Sequence, residues 1–257
     1  MHKRPSGLLL DLDGTVWEED GLIPGADEAV AALRAAGVPL RFVTNITRVP
    51  RGTLAGWLAE FGVPATAADV FTPPLAAAAW LRQRGIDRVL LCLPEHTHVE
   101  FDGLVIDNAS PEAVVIGDLG DGWTYEILNE AFNRILEGAE FLALHRNRYW
   151  KTGGGLAVDA GAFVAALEYA SGREATLVGK PSLPLYHAAS ASIGLKVSEV
   201  AMVGDTLESD IAGAKAAGCQ AILVRTGKFD ADELAESDVQ PDRVIDSIAE
   251  LPGLLGE

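Results

Sequence analysis

Short apolar runs alternate with amphipathic stretches along most of this chain. The first apolar run, residues 7–11, predicts a buried strand, and the segment between Pro24 and Gly37 predicts a helix with alanine and leucine on one face. This alternation is typical of an α/β fold with a parallel sheet, because parallel strands are joined by helical crossovers. The fold class predicted is therefore α/β with an open parallel sheet.

This alternation of apolar runs and amphipathic stretches is interrupted once, by an inserted block, and then resumes. Its predicted strands are residues 7–11, 39–43, 175–178, 199–203 and 220–224. Its predicted helices are 24–36, 50–61, 74–84, 181–193 and 207–217. A block between them predicts strands at 88–93, 113–116 and 141–144 and helices at 124–136 and 162–170. The sequence therefore predicts a core domain, residues 1–84 and 175–257, with an inserted α/β domain at 85–174.

The charge and composition of the chain limit the classes of molecule that it is expected to bind. The formal charge of −17 argues against nucleic acid and an anionic membrane surface as partners, because no excess of lysine or arginine exists to neutralise phosphates. The apolar run Leu8-Leu9-Leu10 is too short for a signal peptide or a membrane span, and the two cysteines predict no disulfide framework. We expect a cytoplasmic protein. A small anionic substrate requires a site that recruits a cation or concentrates the few lysines and arginines of the chain.

Polar residues follow four of the predicted core strands. These strand ends carry Asp11-Leu12-Asp13-Gly14-Thr15, Thr44-Asn45, Gly179-Lys180-Pro181 and Gly204-Asp205-Thr206. Right-handed crossovers bring the carboxyl ends of parallel strands to one edge of a sheet, where ligands bind. A packed core has no use for carboxylates and a lysine there, so this edge is the predicted site.

The residue types define the chemistry. Several carboxylates share a small space only when a cation binds them, and hard oxygen ligands beside a phosphate favour Mg²⁺. Asp11 is then the candidate nucleophile toward phosphorus, and Asp13 the candidate general acid and base. Lys180 supplies fixed positive charge and Thr44 a hydrogen bond. The predicted phosphate-binding groups, which include the amides of the turn, belong to Leu12, Asp13, Gly14, Thr44, Asn45 and Lys180.

These motifs resemble those of the haloacid dehalogenase superfamily. They stand as Leu8-Leu9-Leu10-Asp11-Leu12-Asp13-Gly14-Thr15, Thr44, Lys180-Pro181, and Gly204-Asp205 with Asp210. The resemblance implies a Rossmann-like core with Asp11 as nucleophile and Asp13 as general acid and base. It also implies Mg²⁺ held by the Asp11 carboxylate, the Asp13 carbonyl and Asp205, with Asp210 in support.

An insertion between the Thr44 and Lys180 motifs resembles subclass IIA, the NagD-like phosphatases with a C2 cap. That likeness implies a homodimer formed through the cap. Residues 148–151 and 162–170 resemble the branch of phospholysine phosphohistidine inorganic pyrophosphate phosphatase. Ile46 departs from the subclass, many members of which have a second asparagine there, so the substrate contact near Asn45 is left open.

Other functions fit the motifs less well. A calcium-binding EF-hand loop starting at Asp11 requires glutamate at its twelfth position, where this chain has Leu22. A phosphate-accepting regulatory module leaves Asp13 and a cap unexplained, a dehalogenase leaves Asp13 and Asp205 unexplained, and a non-catalytic binding protein does not require every motif residue. His96 and His98 are interpreted as an isolated pair without metal. The basic, aromatic run 145–151 fits either a substrate anion or an exposed interface, and the substrate stays open.

Overall fold

The computed structural model describes residues 4–18, 21–152 and 155–256. The chain divides into two compact units. The first unit comprises Met1–Thr44, Arg51–Phe71 and Lys180–Glu257, and the second comprises Asn45–Pro50 and Thr72–Gly179. Both are layered α/β arrangements, as the alternation of apolar and amphipathic segments predicts.

The regular elements are numbered in chain order. The strands are β1 (Gly7–Leu10), β2 (Trp17–Glu18), β3 (Gly21–Leu22), β4 (Leu40–Val43), β5 (Val70–Phe71), β6 (Arg88–Cys92), β7 (Val105–Ile106), β8 (Ala113–Ile116), β9 (Glu140–Ala143), β10 (Tyr149–Thr152), β11 (Gly155–Val158), β12 (Thr176–Leu177), β13 (Val200–Gly204), β14 (Gln220–Val224) and β15 (Arg243–Ile245). The α-helices are α1 (Ala26–Ala35), α2 (Arg51–Glu60), α3 (Pro73–Gln83), α4 (Tyr125–Leu136), α5 (Ala160–Ser171), α6 (Leu183–Ser192), α7 (Gly213–Ala217), α8 (Ala231–Glu236) and α9 (Leu251–Gly256).

The sheet of the first unit has the strand order β15-β14-β13-β1-β4-β5, and all its pairings are parallel. Every residue of β1 and β13 is buried, because helices cover both faces of an all-parallel sheet and leave no polar side. Since β1 lies between β13 and β4, its carboxyl end is flanked by the carboxyl ends of both neighbours. The residue after β1 is Asp11.

The sheet of the second unit has the order β12-β9-β8-β6-β7 and is also parallel. Its strands alternate between two buried faces, because successive side chains of a strand point in opposite directions. Val89 and Leu91 pack in one core cluster with Leu81 of α3. Leu90 packs on the opposite face in a second cluster with Ile135 of α4 and residues of α5.

The structure corrects one strand assignment. Residues 175–178 were expected in the core sheet, but β12 pairs with β9 in the second sheet, Thr176 opposite Leu142. Helix α3 likewise packs on the second sheet, where Ala77, Ala78 and Leu81 contribute to its core. Lys180 therefore follows a strand of the second unit. The sequence-based domain limits, with 85–174 as the insertion, stay a prediction.

The predicted helix at 207–217 has two parts, a π-helical turn over Leu207–Ala212 and the α-helix α7. Several short elements had no clear sequence signal, namely the pairs β2–β3 and β10–β11 and the strands β5, β7 and β15. The predicted α/β class with a parallel sheet is confirmed. Among the helices of the described residues, none is both long enough and apolar enough to cross a bilayer.

Candidate active site

Three neighbouring strands of the first sheet end in polar residues of the predicted site. Asp11 follows β1, and its amide donates to the Val203 carbonyl at 2.9 Å, which extends the pairing of β1 with β13 by one residue. Asp205 follows β13, and Thr44 follows β4. All three side chains are buried. The strand order thus places these residues at the carboxyl edge of the sheet, as the sequence predicts.

Lys180 is bound between two carboxylates. Its Nζ donates to Asp11 Oδ1 at 2.6 Å and to Asp210 Oδ1 at 2.7 Å, and all three side chains are almost wholly buried. Burial alone would lower the pKa of Lys180, but the two adjacent carboxylates outweigh burial and raise it. Lys180 is therefore a permanent cation in direct contact with the predicted nucleophile.

Asp210 reaches this cluster from the π-helical turn. Its Oδ2 accepts a hydrogen bond from the Thr206 amide at 3.1 Å, and its side chain is fully buried. A Cβ atom on Gly204 would overlap the carboxyl group of Asp210, so the absence of a side chain at Gly204 permits the close approach. Single π-helical turns within helices are frequent at functional sites.

The buried carboxylates outnumber the cation. Asp11, Asp205 and Asp210 each offer an oxygen, and these oxygens lie within 4.8 Å of one another. The pKa of Asp11 is raised by burial; Lys180 opposes that rise, while Asp210 and Asp205 add to it. The pKa of Asp205 is also raised, mainly by burial and to a smaller extent by the neighbouring carboxylate of Asp210. Three buried carboxyl groups lie close together and Lys180 pairs with two of them, so this set of oxygen donors fits a hard divalent cation such as Mg²⁺.

Asp13 lies in the turn that leaves β1, and its side chain is exposed. The turn is closed by the Gly14 amide, which donates to the Trp17 carbonyl at 2.7 Å, and Gly14 has a φ of 81°, which favours glycine. The Gly14 amide was expected to bind phosphoryl oxygens. It donates to a carbonyl in this structure, and phosphate binding by the amides of Leu12, Asp13 and Gly14 stays a prediction. The Leu12 side chain is part of the core.

A loop after β14 holds this turn against Asp205. Thr226 Oγ1 donates to the Gly14 carbonyl, the Gly227 amide to Glu18 Oε1 at 2.9 Å, and the Lys228 amide to Asp205 Oδ2 at 2.7 Å. Sequence reasoning missed this loop, because its contacts join residues about two hundred positions apart and no motif marks them. It also missed Trp17, whose indole Nε1 donates to Asp13 Oδ1 at 2.8 Å.

The remaining predicted residues lie in the second unit. Asn45 begins the segment Asn45–Pro50 of that unit, so its contact with substrate stays a prediction. His96 Nε2 lies 2.8 Å from the Arg48 carbonyl and His98 Nε2 lies 3.3 Å from the Leu93 carbonyl. Among the residues that the structure describes, the acidic trio is the only cluster suited to a metal.

The basic run 145–151 is partly engaged within the second unit. Arg146 pairs with Glu168 through two hydrogen bonds, of 3.0 and 2.5 Å, and His145 is buried. The side chains of Trp150 and Lys151 lie outside the described residues. A substrate-binding role for this run stays a prediction.

Models of known protein families match the segments of the chain that contain the site residues. A family of haloacid dehalogenase-like hydrolases matches residues 8–106, and a second family model, described as HAD-hydrolase-like, matches residues 177–251. The first match contains Asp11, Asp13 and Thr44. The second contains Lys180, Asp205 and Asp210. A relative from Bos taurus named haloacid dehalogenase-like hydrolase domain-containing protein 2 is 39% identical over 91% of this chain and 88% of its own length. The chain belongs to the haloacid dehalogenase-like hydrolases.

Other relatives place it among NagD-like members of that family. Phospholysine phosphohistidine inorganic pyrophosphate phosphatase from Bos taurus is 38% identical over 97% of this chain and 93% of its own length. The solved structure of 4-nitrophenylphosphatase from Thermotoga maritima matches with a TM-score of 0.91 and 30% identity over 98% of both chains. NagD from E. coli K-12 matches with a TM-score of 0.90 and 26% identity over 96% of this chain and 98% of its own.

A structure with a bound ion is also similar. Glycerol phosphate phosphatase from Mycobacterium tuberculosis, solved in complex with calcium, matches with a TM-score of 0.88 and 32% identity over 96% of this chain and 74% of its own. The predicted Rossmann-like core with an inserted cap, and the resemblance to NagD-like proteins, are confirmed by these matches.

Proposed function

We propose that this protein is a Mg²⁺-dependent phosphatase that hydrolyses a small phosphorylated metabolite by way of a phosphoryl group carried on Asp11. The observation that supports it most directly is the buried cluster in which Lys180 joins Asp11 to Asp210 beside Asp205. Membership of the haloacid dehalogenase-like hydrolases and the phosphatases among its relatives support the same class of reaction.

In the first step, a carboxylate oxygen of Asp11 forms a bond to phosphorus, and the bond from phosphorus to the leaving oxygen breaks. Asp13 gives a proton to that leaving oxygen, so the product departs as a neutral alcohol. The exposure of Asp13 suits this role, because an exposed carboxyl group at the mouth of the turn can meet a leaving group that Asp11, being buried, does not reach.

In the second step, a water oxygen attacks the phosphorus of the aspartyl phosphate, and Asp13 takes the proton from that water. The bond between phosphorus and Asp11 breaks, which regenerates the Asp11 carboxylate and releases inorganic phosphate. The same group therefore acts first as acid and then as base, and ends the cycle in the protonation state in which it began.

Lys180 stabilises charge in both steps. Its ammonium group neutralises part of the charge that builds on the transferring phosphoryl group, and its position is fixed beforehand by Asp210. Asp11, Asp205 and the Asp13 carbonyl would hold Mg²⁺, with Asp210 in support. The side-chain oxygens of Asp11, Asp205 and Asp210 lie within 4.8 Å of one another, which suits a divalent cation. When bound, Mg²⁺ supplies positive charge to the phosphoryl oxygens and keeps Asp11 ionised.

The fold and the names of the relatives support a small phosphorylated substrate. The names of the relatives mention inorganic pyrophosphate, phospholysine, 4-nitrophenyl phosphate and glycerol phosphate, all of which are small. A cap inserted into the core excludes water and selects the leaving group, and we assign that role to the second unit of this chain. A homodimer formed through the cap and a cytoplasmic location complete the proposal.

The test is hydrolysis of p-nitrophenyl phosphate by the full chain. We expect activity with Mg²⁺, loss of activity with a chelator, and loss in Asp11→Asn, with the matched control Asp27→Asn, an exposed aspartate of α1, unaffected. After an acid quench, peptide mass spectrometry should find a phosphoryl group on the peptide containing Asp11. Undiminished turnover by Asp11→Asn would remove Asp11 as the nucleophile.

A further inference from the structure

Trp17 is held in place by its backbone and by its ring. Its amide donates to the Leu12 carbonyl at 3.1 Å, its carbonyl accepts from the Gly14 amide at 2.7 Å, and it pairs with Leu22 in the hairpin β2–β3. Its indole is buried and packs edge-on against Trp57 and Phe61 of the helix α2 region, at centroid distances of 6.5 and 6.1 Å. The indole therefore has little freedom to rotate.

This fixed indole meets an exposed carboxyl group. Nε1 of Trp17 donates to Oδ1 of Asp13 at 2.8 Å, which is the length of a strong hydrogen bond to a carboxylate. The side chain of Asp13 is otherwise exposed, and the hydrogen bonds of the described residues give it no other side-chain partner. The orientation of the Asp13 carboxyl group consequently depends on Trp17.

The direction of the bond also distinguishes the two oxygens of Asp13. An indole N–H is only a donor, so the oxygen facing it has to accept, whether Asp13 is ionised or protonated. The proton of a protonated Asp13 is then carried by Oδ2, the oxygen that Trp17 does not contact. A general acid has to present its proton to the leaving oxygen in one geometry, and this arrangement provides it.

We propose that Trp17 is a positioning residue that fixes the Asp13 carboxyl group and reserves Oδ2 as the oxygen that gives and takes the proton. This inference rests on the proposed function, in which Asp13 is the general acid and base. It adds a residue that none of the sequence motifs contains, and it predicts a selective kinetic defect rather than a general one.

The experiment compares two substrates that differ in their need for an acid. Phenyl phosphate and p-nitrophenyl phosphate have similar shapes, but phenolate is the poorer leaving group and depends more on protonation. In Trp17→Phe, which keeps a ring and removes the donor, we expect kcat/KM to fall at least about fivefold more for phenyl phosphate than for p-nitrophenyl phosphate. The ratio of the two values is independent of the fraction of folded enzyme, because both are measured on the same preparation.

Two further variants, measured in parallel, distinguish a failure of the role given to Trp17 from a failure of the acid/base role given to Asp13. Trp57→Phe makes the same change in the same aromatic group without touching Asp13, and we expect it to leave the ratio at the wild-type value. Asp13→Asn should show the selective defect in full. An equal fall for both substrates in Trp17→Phe, with a selective defect in Asp13→Asn, overturns the role of Trp17 alone. The absence of a selective defect in Asp13→Asn overturns the acid/base role in the proposed function.

If Trp17→Phe does not fold, the contact is tested from the other side. The chain has five tryptophans, so its indole N–H groups give five signals in a ¹⁵N-correlated spectrum. In Asp13→Ala we expect one of them to shift strongly while the other four stay in place. Five unmoved signals would show that no indole donates to Asp13 and would overturn the inference.

Discussion

The two sheets of this protein carry polar residues at equivalent positions and differ in how those residues are satisfied. In the first sheet, Asp11 and Asp205 directly follow β1 and β13. Lys180 pairs with Asp11 and Asp210, and Asp205 has an oxygen within 4.8 Å of theirs. In the second sheet, Asp118 and His145 lie two residues beyond β8 and β9. The first cluster holds excess charge, whereas the second forms a network of hydrogen bonds within its own unit.

That network is centred on the buried His145. His145 Nε2 lies 3.3 Å from Thr47 Oγ1, which also accepts from the Asp118 amide at 3.1 Å, and His145 Nδ1 accepts from the Asn147 amide. This pattern fits a neutral imidazole with its proton on Nε2. A buried polar group that is fully bonded stabilises a fold, whereas buried charge in excess requires a ligand. In the second group, Asp118 pairs with Arg48 and Asp159 lies 3.8 Å from His145 Nε2. In the first cluster, oxygens of three aspartates converge, and that convergence identifies the reactive edge.

The strongest test of this comparison removes Lys180, the cation that pairs with two carboxylates of the first cluster. In Lys180→Met we expect kcat/KM to fall by about a hundredfold to a thousandfold, because a fixed charge beside the transferring phosphoryl group is lost. Lys215→Met is the control, since Lys215 also pairs with an aspartate, Asp242, but at a partly exposed site where such pairs contribute little. Equal activity of the two variants would contradict the role given to Lys180.

The next test disturbs a carboxylate without altering its charge. Gly204→Ala places a methyl group against the Asp210 carboxyl group, and we expect the apparent affinity for Mg²⁺ to fall by about tenfold to a hundredfold. Titration of activity with Mg²⁺ measures this. Gly56→Ala, in helix α2 with open space around the added carbon, should leave the titration unchanged. A Gly204→Ala titration that matches wild type would remove Asp210 from the metal site.

A smaller effect is expected from the second network. His145→Asn should lower the free energy of unfolding by about 1–3 kcal/mol, because Thr47 and the Asn147 amide lose a buried partner. Burial lowers the pKa of His145 below its ordinary 6.5, although Asp159 and Asp118 oppose that shift. The stabilisation by neutral His145 is thus fully present above about pH 6.5 and is lost as the pH falls through the lowered pKa.

The corresponding measurement is the difference in unfolding free energy between wild type and His145→Asn. We expect this difference to be larger at about pH 7.5 than at about pH 5.5. A difference that grows on acidification would mean that His145 is charged in the folded protein, and the contrast between the two edges would fail.

The last prediction concerns the two cysteine thiols, which we expect to be unreactive in the folded protein. Burial, helped by Glu130, raises the pKa of Cys92 to about 12, and burial raises that of Cys219 to about 12. Neither thiol should react with a disulfide reagent in the folded protein at mildly alkaline pH. Cys92 lies in the second unit and Cys219 in the first. Labelling in increasing denaturant, read by mass spectrometry, then reports which unit opens first, and rapid labelling without denaturant would contradict the burial.

The sequence predicted the parts of the fold that local pattern determines. Strand β1 and helix α4 were found because each has an unbroken apolar run or face, bounded by a turn or by the N-cap Thr124. The assignment of residues 175–178 to the core sheet was wrong because an apolar run specifies a strand without specifying its neighbour. The two-residue strands of β2–β3 are too short for any periodicity.

The candidate site shows the same limit. Asp11, Lys180, Asp205 and Asp210 were predicted because their residue types are unusual at strand ends, and the structure brings them together. Their roles stay predictions until the variants are measured. Trp17 was missed because a tryptophan after a turn fits ordinary packing, and only the direction of its N–H distinguishes it. Thr226 and Lys228 were missed because backbone partners leave no signature in residue type.

The central position of β1 affects the order in which this protein is assembled during synthesis. Gly7 pairs on one side with Val200, so β1 waits for a partner that the ribosome produces much later in the chain. Until then, one edge of the triplet Leu8-Leu9-Leu10 is unpaired, and such edges attract other chains. An unfinished chain therefore lacks both its central strand pair and Asp205. The nascent protein needs protection from aggregation between the synthesis of β1 and that of β13, and its active site cannot form before β13 is made.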